Sequence, residues 1–280
     1  MSNSFAKWFT TFVKPPVHPF NLANEQKLTY AEWQYQKGEQ TIEYYLDFST
    51  KDQMFKDKLV LDIGCGASGK SLYYASLGAK KVTGIEVVEY YKEEAESLAK
   101  KLKLEDKFEF VHGDAASMPF TDSSFDTVIM NDAMEHVDDP VGVLEEINRV
   151  LIPGGRLYVN FPPYYHPYGA HLSDVMGTPW VQLFFSEKTL ASVYRDLVKD
   201  LPDGDTRINF RIGKDKSGND YFKYINHMTI KRFNKIKLIQ PMQIVYEKHV
   251  PLRSYFTPLA MLPLTKEMFV KMVVCVMQKN

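Results

Sequence analysis

The stretch Val60-Leu61-Asp62-Ile63-Gly64-Cys65-Gly66-Ala67-Ser68-Gly69 decides the fold. Leu59–Ile63 is a short aliphatic run that reads as a buried strand. It gives way at once to three glycines and then to a helical stretch through Ser71–Leu77. Glycines at a strand-to-helix turn let the main chain approach a ligand closely and offer it amide hydrogens. The spacing Gly64-x-Gly66-x-x-Gly69 also satisfies a dinucleotide fingerprint, so the flanking sequence has to choose between ligands.

Outward from that turn, strand-like and helix-like segments alternate. Lys81–Glu86 reads as a second strand, Glu89–Leu102 as a helix with its charges outward, Phe108–His112 as a third strand and Phe125–Asn131 as a fourth. Pro140 suits the first turn of a further helix, and Val143, Leu144, Ile147, Val150 and Leu151 form its apolar stripe. Pro153-Gly154-Gly155 is expected to stop that helix before a fifth strand at Arg156–Phe161. Such alternation predicts parallel strands joined by crossover helices. From Phe161 to about Tyr224 the rhythm breaks into loop-rich, aromatic and short helical sequence. It returns with a helix at Ile225–Leu238 and strands at Gln243–His249 and Val270–Met277, which pair antiparallel around a proline-interrupted excursion, Pro251–Met268. The expected organisation is therefore a helical cap (1–57), a core (58–161 and 225–280) and an insertion (162–224) that forms an acceptor pocket.

Composition narrows the class. The chain has 280 residues, 45% of them hydrophobic and 25% charged, enough to bury a full core. A net charge of -1 argues against a nucleic-acid binder that works through bulk charge. Cys65 and Cys275 are the only cysteines, too few for a disulfide framework or a four-cysteine zinc site, and free thiols suit a reducing compartment. No apolar run reaches the ~18–20 residues of a membrane span, and Met1–Val13 lacks the pattern of a signal peptide. A cytoplasmic enzyme without integral membrane association is the expectation. No motif specifies an oligomer.

The strand ends carry the chemistry. Glu86 closes the second strand, where a carboxylate can accept both hydroxyl hydrogens of a ribose. Asp114 beside Ala115 follows the third strand, where an acid next to a small residue can receive an adenine amino group. Asp62 precedes the first glycine by two residues; it would face a cationic amino group well and a pyrophosphate badly. On these motifs the chain resembles the class I S-adenosylmethionine-dependent methyltransferases, in particular the small-molecule group often called type 11. The resemblance covers about residues 58–161 and, more loosely, 225–280. It implies an α/β Rossmann-like three-layer sandwich with a seven-stranded, mostly parallel sheet in the order 3-2-1-4-5-7-6. It also implies that S-adenosyl-L-methionine is the cofactor. Asp62, Gly64, Cys65, Gly66 and Gly69 would then hold its methionine part, Glu86 and Val87 its ribose, and Asp114 and Ala115 its adenine. Asn131, ending the fourth strand, would line the transfer site.

Methyl transfer is an in-line displacement governed by positioning in a dry pocket, and a hydroxyl acceptor needs help in losing its proton. His136, in Asn131-Asp132-Ala133-Met134-Glu135-His136, is the first candidate for that role; holding the loop before Pro140 is its structural alternative. Asp132, Glu135 and His136, as Asp-x-x-Glu-His, also resemble the Glu-x-x-Glu-His cluster of two metal-dependent methyltransferase groups, acting on small RNAs and in the ubiquinone pathway. The match departs at Asp132, lacks an obvious downstream histidine motif, and leads to no metal assignment. After the fifth strand, Phe161-Pro162-Pro163-Tyr164-Tyr165-His166-Pro167-Tyr168-Gly169-Ala170-His171 lies where open α/β folds bind ligands. Tyr164, Tyr165, Tyr168 and Trp180, with Phe184 and Phe185, are expected to wall the acceptor, with His166 or His171 facing it. Phe5, Trp8, Phe9 and Phe12 read as a lid helix over the cofactor. The basic excess in Arg195–Lys237 reads as a solvated face or steering field.

The resulting expectation is methyl transfer to a small molecule, at oxygen first, with nitrogen or carbon acceptors open. The alternatives are an NAD-dependent oxidoreductase, a non-catalytic cofactor-binding module and, disfavoured by charge, an RNA methyltransferase.

Overall fold

A computed structural model describes residues 3–16 and 28–280; the remainder of the expected N-terminal cap, 1–2 and 17–27, lies outside the described residues. The strands are β1 (Leu59–Ile63), β2 (Lys81–Glu86), β3 (Phe108–His112), β4 (Phe125–Asn131), β5 (Leu151–Phe161), β6 (Ile212–Lys214), β7 (Asp220–Phe222), β8 (Met242–Pro251) and β9 (Val270–Lys279). Seven of them form one sheet in the order β3-β2-β1-β4-β5-β9-β8, and β6 and β7 pair as a separate hairpin. With the hairpin set aside, this is the expected order 3-2-1-4-5-7-6. The first five strands run parallel, whereas β9 runs antiparallel to both β5 and β8. A second mononucleotide-binding half would need parallel strands there, so the sheet is not of the dinucleotide-dehydrogenase type.

Alternation along the strands makes two apolar faces. Leu61, Ile63, Val128, Met130, Leu157, Val159, Val273 and Cys275 pack against Val143, Leu144, Ile147 and Val150 and against Phe233. Their neighbours Val60, Ile129, Tyr158, Val274 and Val276 point the other way, onto Ile42, Tyr45, Phe55 and Tyr74. The helix Pro140–Val150 starts as the sequence requires: Pro140 lies in its first turn, and the Asp139 side chain accepts from the Val141 and Gly142 amides. It ends at Val150. Pro153-Gly154-Gly155, expected as a separate stop, is instead drawn into the irregular beginning of β5, with Gly154 at a φ of 78° and a register shift opposite Phe125 and Thr127.

The helix expected from Ile225 begins only at Ile230, behind the Thr229 cap. Residue 226 is held out of it: the Asn226 amide donates to Glu135 O, and its side chain donates to Met134 O and Val137 O. The insertion carries helices at Val181–Phe184, Glu187–Val198 and Gly204–Arg211 besides the β6–β7 hairpin. It has an apolar cluster of its own, including Leu190, Val193, Tyr194, Val198, Ile212 and Phe222.

The N-terminal segment does two different things. Its first helix, Asn3–Thr10, places Ala6 in the insertion's cluster and Phe9 against it, so it braces the insertion; the expected lid over the cofactor is not there. The helix Tyr30–Ile42 begins with a reciprocal Thr29–Glu32 capping box and crosses the helix Gly69–Ser76 at very short range. A Cβ at Gly69 would stand 1.9 Å from Ala31 O. That glycine is therefore demanded by helix packing. Among the described residues, no helix is long and apolar enough to cross a membrane.

Candidate active site

The carboxyl ends of the parallel strands open into one cleft of ≈ 390 Å³. Its floor comes from the expected turn: Gly64 and Gly66 adopt φ values of 69° and 55°, where a side chain would be strained. Glu86 stands beside them. Its Oε2 accepts from Gly66 N at 2.9 Å and its Oε1 from Val88 N at 3.1 Å, which fixes the carboxylate at the rim. Burial pushes the Glu86 carboxyl above its ordinary range, while the amides of Gly66, Val88 and Val87 pull it back. Val87, Asp114 and Ala115 continue the lining, and Asp114 Oδ1 accepts from Ala116 N at 2.9 Å.

Other expected residues support this floor from behind. Asp62 is buried and accepts from Ser71 Oγ at 2.6 Å, and burial raises its carboxyl to about 6. Cys65 is buried against Gly84, with its sulfur accepting from Ser68 Oγ. Gly69 does not offer its amide to the cleft, because Gly69 N donates to Gln34 Oε1 at 3.1 Å. Asn131 does not line it either. Its Oδ1 accepts from Tyr45 Oη at 2.6 Å and from Asn160 Nδ2 at 2.7 Å, and its Nδ2 donates to Tyr74 Oη. This closed network is what the expectation for Asn131 missed: the side chain is already satisfied on the other face of the sheet.

The far wall is built from β4's following loop and the insertion. His136 Nδ1 lies 2.5 Å from Tyr224 O, a contact in which the ring N–H donates to the carbonyl and leaves Nε2 as an acceptor. Its ring meets that of His171 edge-on at 4.6 Å. Burial lowers the basicity of His136. Glu135 lies behind both, with Oε1 3.9 Å from each Nε2. Asp132, the remaining acid of the segment, turns away to an ion pair with Lys70 at 2.9 Å.

His171 is held by a buried charge network. Its carbonyl accepts from Arg211 Nη1 at 2.5 Å, and Arg211 Nη2 lies 3.7 Å from Asp174 Oδ1. Arg207 and Tyr194 share the other Asp174 oxygen. Arg207, Arg211 and Lys237 are buried, whereas Lys199, Lys214, Lys216, Lys231 and Lys235 of the same basic stretch are exposed, so it is a solvated face only in part.

The aromatic loop goes elsewhere. His166 Nδ1 accepts from Tyr168 N, Tyr168 Oη donates to Gly177 O, and Tyr164 packs on His227 at 4.4 Å. Tyr165 is exposed and Trp180 lies against Phe269. None of Tyr164, Tyr165, His166, Tyr168 and Trp180 lines the cleft, because the loop folds on itself as packing for the insertion. Burial lowers His166 to about 4, consistent with a packed, neutral ring. The end of the cleft beside His136 is instead walled by Val137, Phe210, Arg211, Lys223, Tyr224 and Ile225, with Phe210 and Tyr224 stacked at 5.3 Å. The β6–β7 hairpin brings 210–211 beside 223–225. Its signal was the turn Asp215-Lys216-Ser217-Gly218-Asn219 between two short strands. Tyr30, from the N-terminal helix, closes the glycine end; no sequence motif marked it.

Residues 61–159 match the family model described as a methyltransferase domain. A sterol 24-C-methyltransferase of Gibberella zeae is 44% identical over 96 residues, 34% of this chain and 25% of that protein. The 27-O-demethylrifamycin SV methyltransferase of Amycolatopsis mediterranei is 38% identical over 98 residues, 35% of this chain and 36% of that protein. The chain thus spans about a quarter to a third of the curated relatives it matches. Among solved structures, a putative S-adenosylmethionine-dependent methyltransferase from Listeria monocytogenes shares the fold at a TM-score of 0.55 and 16% identity, covering 87% of this chain and 98% of that one. Sheet order, glycine turn and strand-end acids agree with the match of residues 61–159 to a methyltransferase domain.

Proposed function

We propose that the protein transfers a methyl group from S-adenosylmethionine to a small-molecule acceptor, at oxygen. The observation that carries this reading is the continuity of the cleft, which runs from Glu86 and Asp114 past the glycine turn to His136 and His171. The cofactor fits the residues present. Gly64 and Gly66 leave the turn without side chains, Glu86 offers its remaining lone pairs to ribose hydroxyls, and Asp114 offers its second oxygen to an adenine amino group. Asp62 fixes the turn through Ser71 and supplies negative potential toward an ammonium group. When bound, S-adenosylmethionine supplies a methyl group activated by its sulfonium.

The chain's own part is to position and to keep dry. Val137, Phe210, Tyr224 and Ile225 give the acceptor an apolar wall, which suits a largely apolar molecule with one polar end. His136 and His171, with Glu135 behind them, face the acceptor oxygen; they orient it and ease the loss of its proton, which must leave as the new carbon–oxygen bond forms. We assign the insertion 162–224 the role of acceptor wall, through Phe210, Arg211 and His171 rather than through its tyrosines. The two free, buried thiols support a reducing, cytosolic setting.

The test is transfer of isotopically labelled methyl groups to a panel of phenols, sugar hydroxyls, carboxylates, amines and sterol-like alkenes. Label on a hydroxyl or carboxylate oxygen, lost in Glu86→Ala, is the expected result. Label confined to nitrogen or carbon would overturn the oxygen assignment, and hydride transfer with NAD would overturn the whole reading.

A further inference from the structure

We propose that Glu135, His136 and His171 form a binding site for a divalent transition-series cation on the acceptor wall of the cleft. The inference rests on the proposed reading of that cleft for its purpose, but on its own geometry for its existence.

Three observations carry it. The first is the donor set. Glu135 Oε1 and the two Nε2 atoms belong to a group whose ligand atoms all lie within 4.8 Å of one another, and Glu135 stands 3.9 Å from each histidine. A cation with bonds of about 2.0–2.2 Å bridges such separations after small side-chain adjustments. The second is the state of Glu135. Its side chain is 4% exposed, and neither carboxylate oxygen receives a hydrogen bond from another residue. Burial and the Asp132 charge push its carboxyl well up, against its own main-chain amide and the Lys70 charge. A buried carboxylate without a donor costs free energy unless a positive partner reaches it. The third is orientation. Tyr224 O takes the Nδ1 hydrogen of His136, which is the outer hydrogen bond that fixes a ligating imidazole with Nε2 toward a metal. Arg211 holds the main chain of His171, at a φ of 53°, in the place that brings its ring to the cluster.

Two imidazoles and one carboxylate select a cation of the zinc or manganese type over magnesium, which favours oxygen donors and water. His136 and His171 line the cleft, so the remaining coordination positions open toward the acceptor. A cation held there would orient the acceptor oxygen and weaken its O–H bond. The proton would then leave to water, and the two imidazoles would act as ligands rather than as bases. Asp132, the acid that sequence pattern suggested for such a cluster, has no part in it, being paired with Lys70.

The experiment uses the full, tag-free chain, freed of metal by chelation, and titrates it calorimetrically with Zn²⁺ and Mn²⁺. Co²⁺ serves as a visible-absorption probe of ligand geometry. The wild type should take up one equivalent, and Glu135→Gln and His171→Ala should each weaken binding by ~100-fold or more, since each removes a ligand. His166→Ala, outside the cluster, should bind as the wild type does. Glu135→Gln preserves shape and removes the buried charge, so its melting temperature should not fall. Absence of saturable uptake, or uptake equal in wild type and Glu135→Gln, would overturn the site. A parallel titration with S-adenosylmethionine keeps the two proposals apart. Cation binding without cofactor binding would sink the methyltransferase reading and leave the metal site standing; the converse would do the reverse.

Discussion

Replacing Glu86 by alanine removes the carboxylate proposed to hold the cofactor's ribose. In the unliganded chain the loss is modest. Gly66 N and Val88 N lose an acceptor each, at 2.9 and 3.1 Å, but both line the cleft, where water can replace the carboxylate. A hydrogen bond exchanged for water is worth about 0.5–1.5 kcal/mol, so the melting temperature should drop by only a few degrees. The cofactor loses more. Hydrogen bonds from ribose hydroxyls to an ionised carboxylate are worth roughly 1.5–3 kcal/mol each, so loss of one already weakens binding ~10- to 150-fold. Burial holds the Glu86 carboxyl above its ordinary range, so wild-type affinity should also fall as acid protonates it; the alanine variant should lack that fall. Calorimetric titration of S-adenosylmethionine into both proteins, at neutral and mildly acidic pH, measures both effects. Equal affinity in the two proteins would remove Glu86 from the ribose site and refute the reasoning.

Other perturbations probe the supports. Asp62 has its carboxyl raised by burial to about 6, so the folded chain holds that proton more tightly than the unfolded one. Its contribution is fully present below the unfolded value and is lost as pH rises through about 6. Denaturant unfolding should therefore show wild type losing on the order of 3 kcal/mol relative to Asp62→Asn between about pH 4 and pH 7; a constant difference would contradict the burial argument. Asp174→Asn removes the counter-charge that Arg207 and Arg211 share while Asp203 stays paired with Arg207, and should destabilise by about 1–3 kcal/mol. A cost below about 1 kcal/mol would mean that the network does not hold His171 in position. Gly69→Ala forces a Cβ to within 1.9 Å of Ala31 O, so it should lower thermal stability as well as cofactor affinity. An unchanged melting temperature would show that the two helices can separate at little cost.

The alternation of strand and helix was readable because it is written in local sequence. Each parallel strand is a short apolar run, and each turn carries its own glycine or cap, as at Gly64 and Asp139. The strand-end acids Glu86 and Asp114 were legible for the same reason: their place follows from strand ends alone. What failed to show depends on distant parts of the chain. Asn131 ends a strand as expected, yet its partners Tyr45, Tyr74 and Asn160 come from three separate elements. Tyr164, Tyr165, Tyr168 and Trp180 have the composition of a binding wall, and composition cannot say which face of a loop turns inward. Phe210, Arg211 and Tyr224 reach the cleft through the short β6–β7 hairpin, whose three-residue strands carry little periodic signal. His171 shows both sides of the matter. Its residue type marked it, but its nearness to Glu135 arises from the buried Arg211–Asp174 pair.

The cleft between Glu86 and His136 is our proposed site for S-adenosylmethionine. Calorimetric titration of the wild-type chain with S-adenosylmethionine, its demethylated product and NAD tests it most directly. The account predicts saturable one-to-one binding of the sulfonium cofactor and of its product. Each should also raise the melting temperature, because a ligand of the native state stabilises it by mass action. NAD at the same concentration should do neither. Binding of NAD, with no heat and no stabilisation from S-adenosylmethionine or its product, would contradict it.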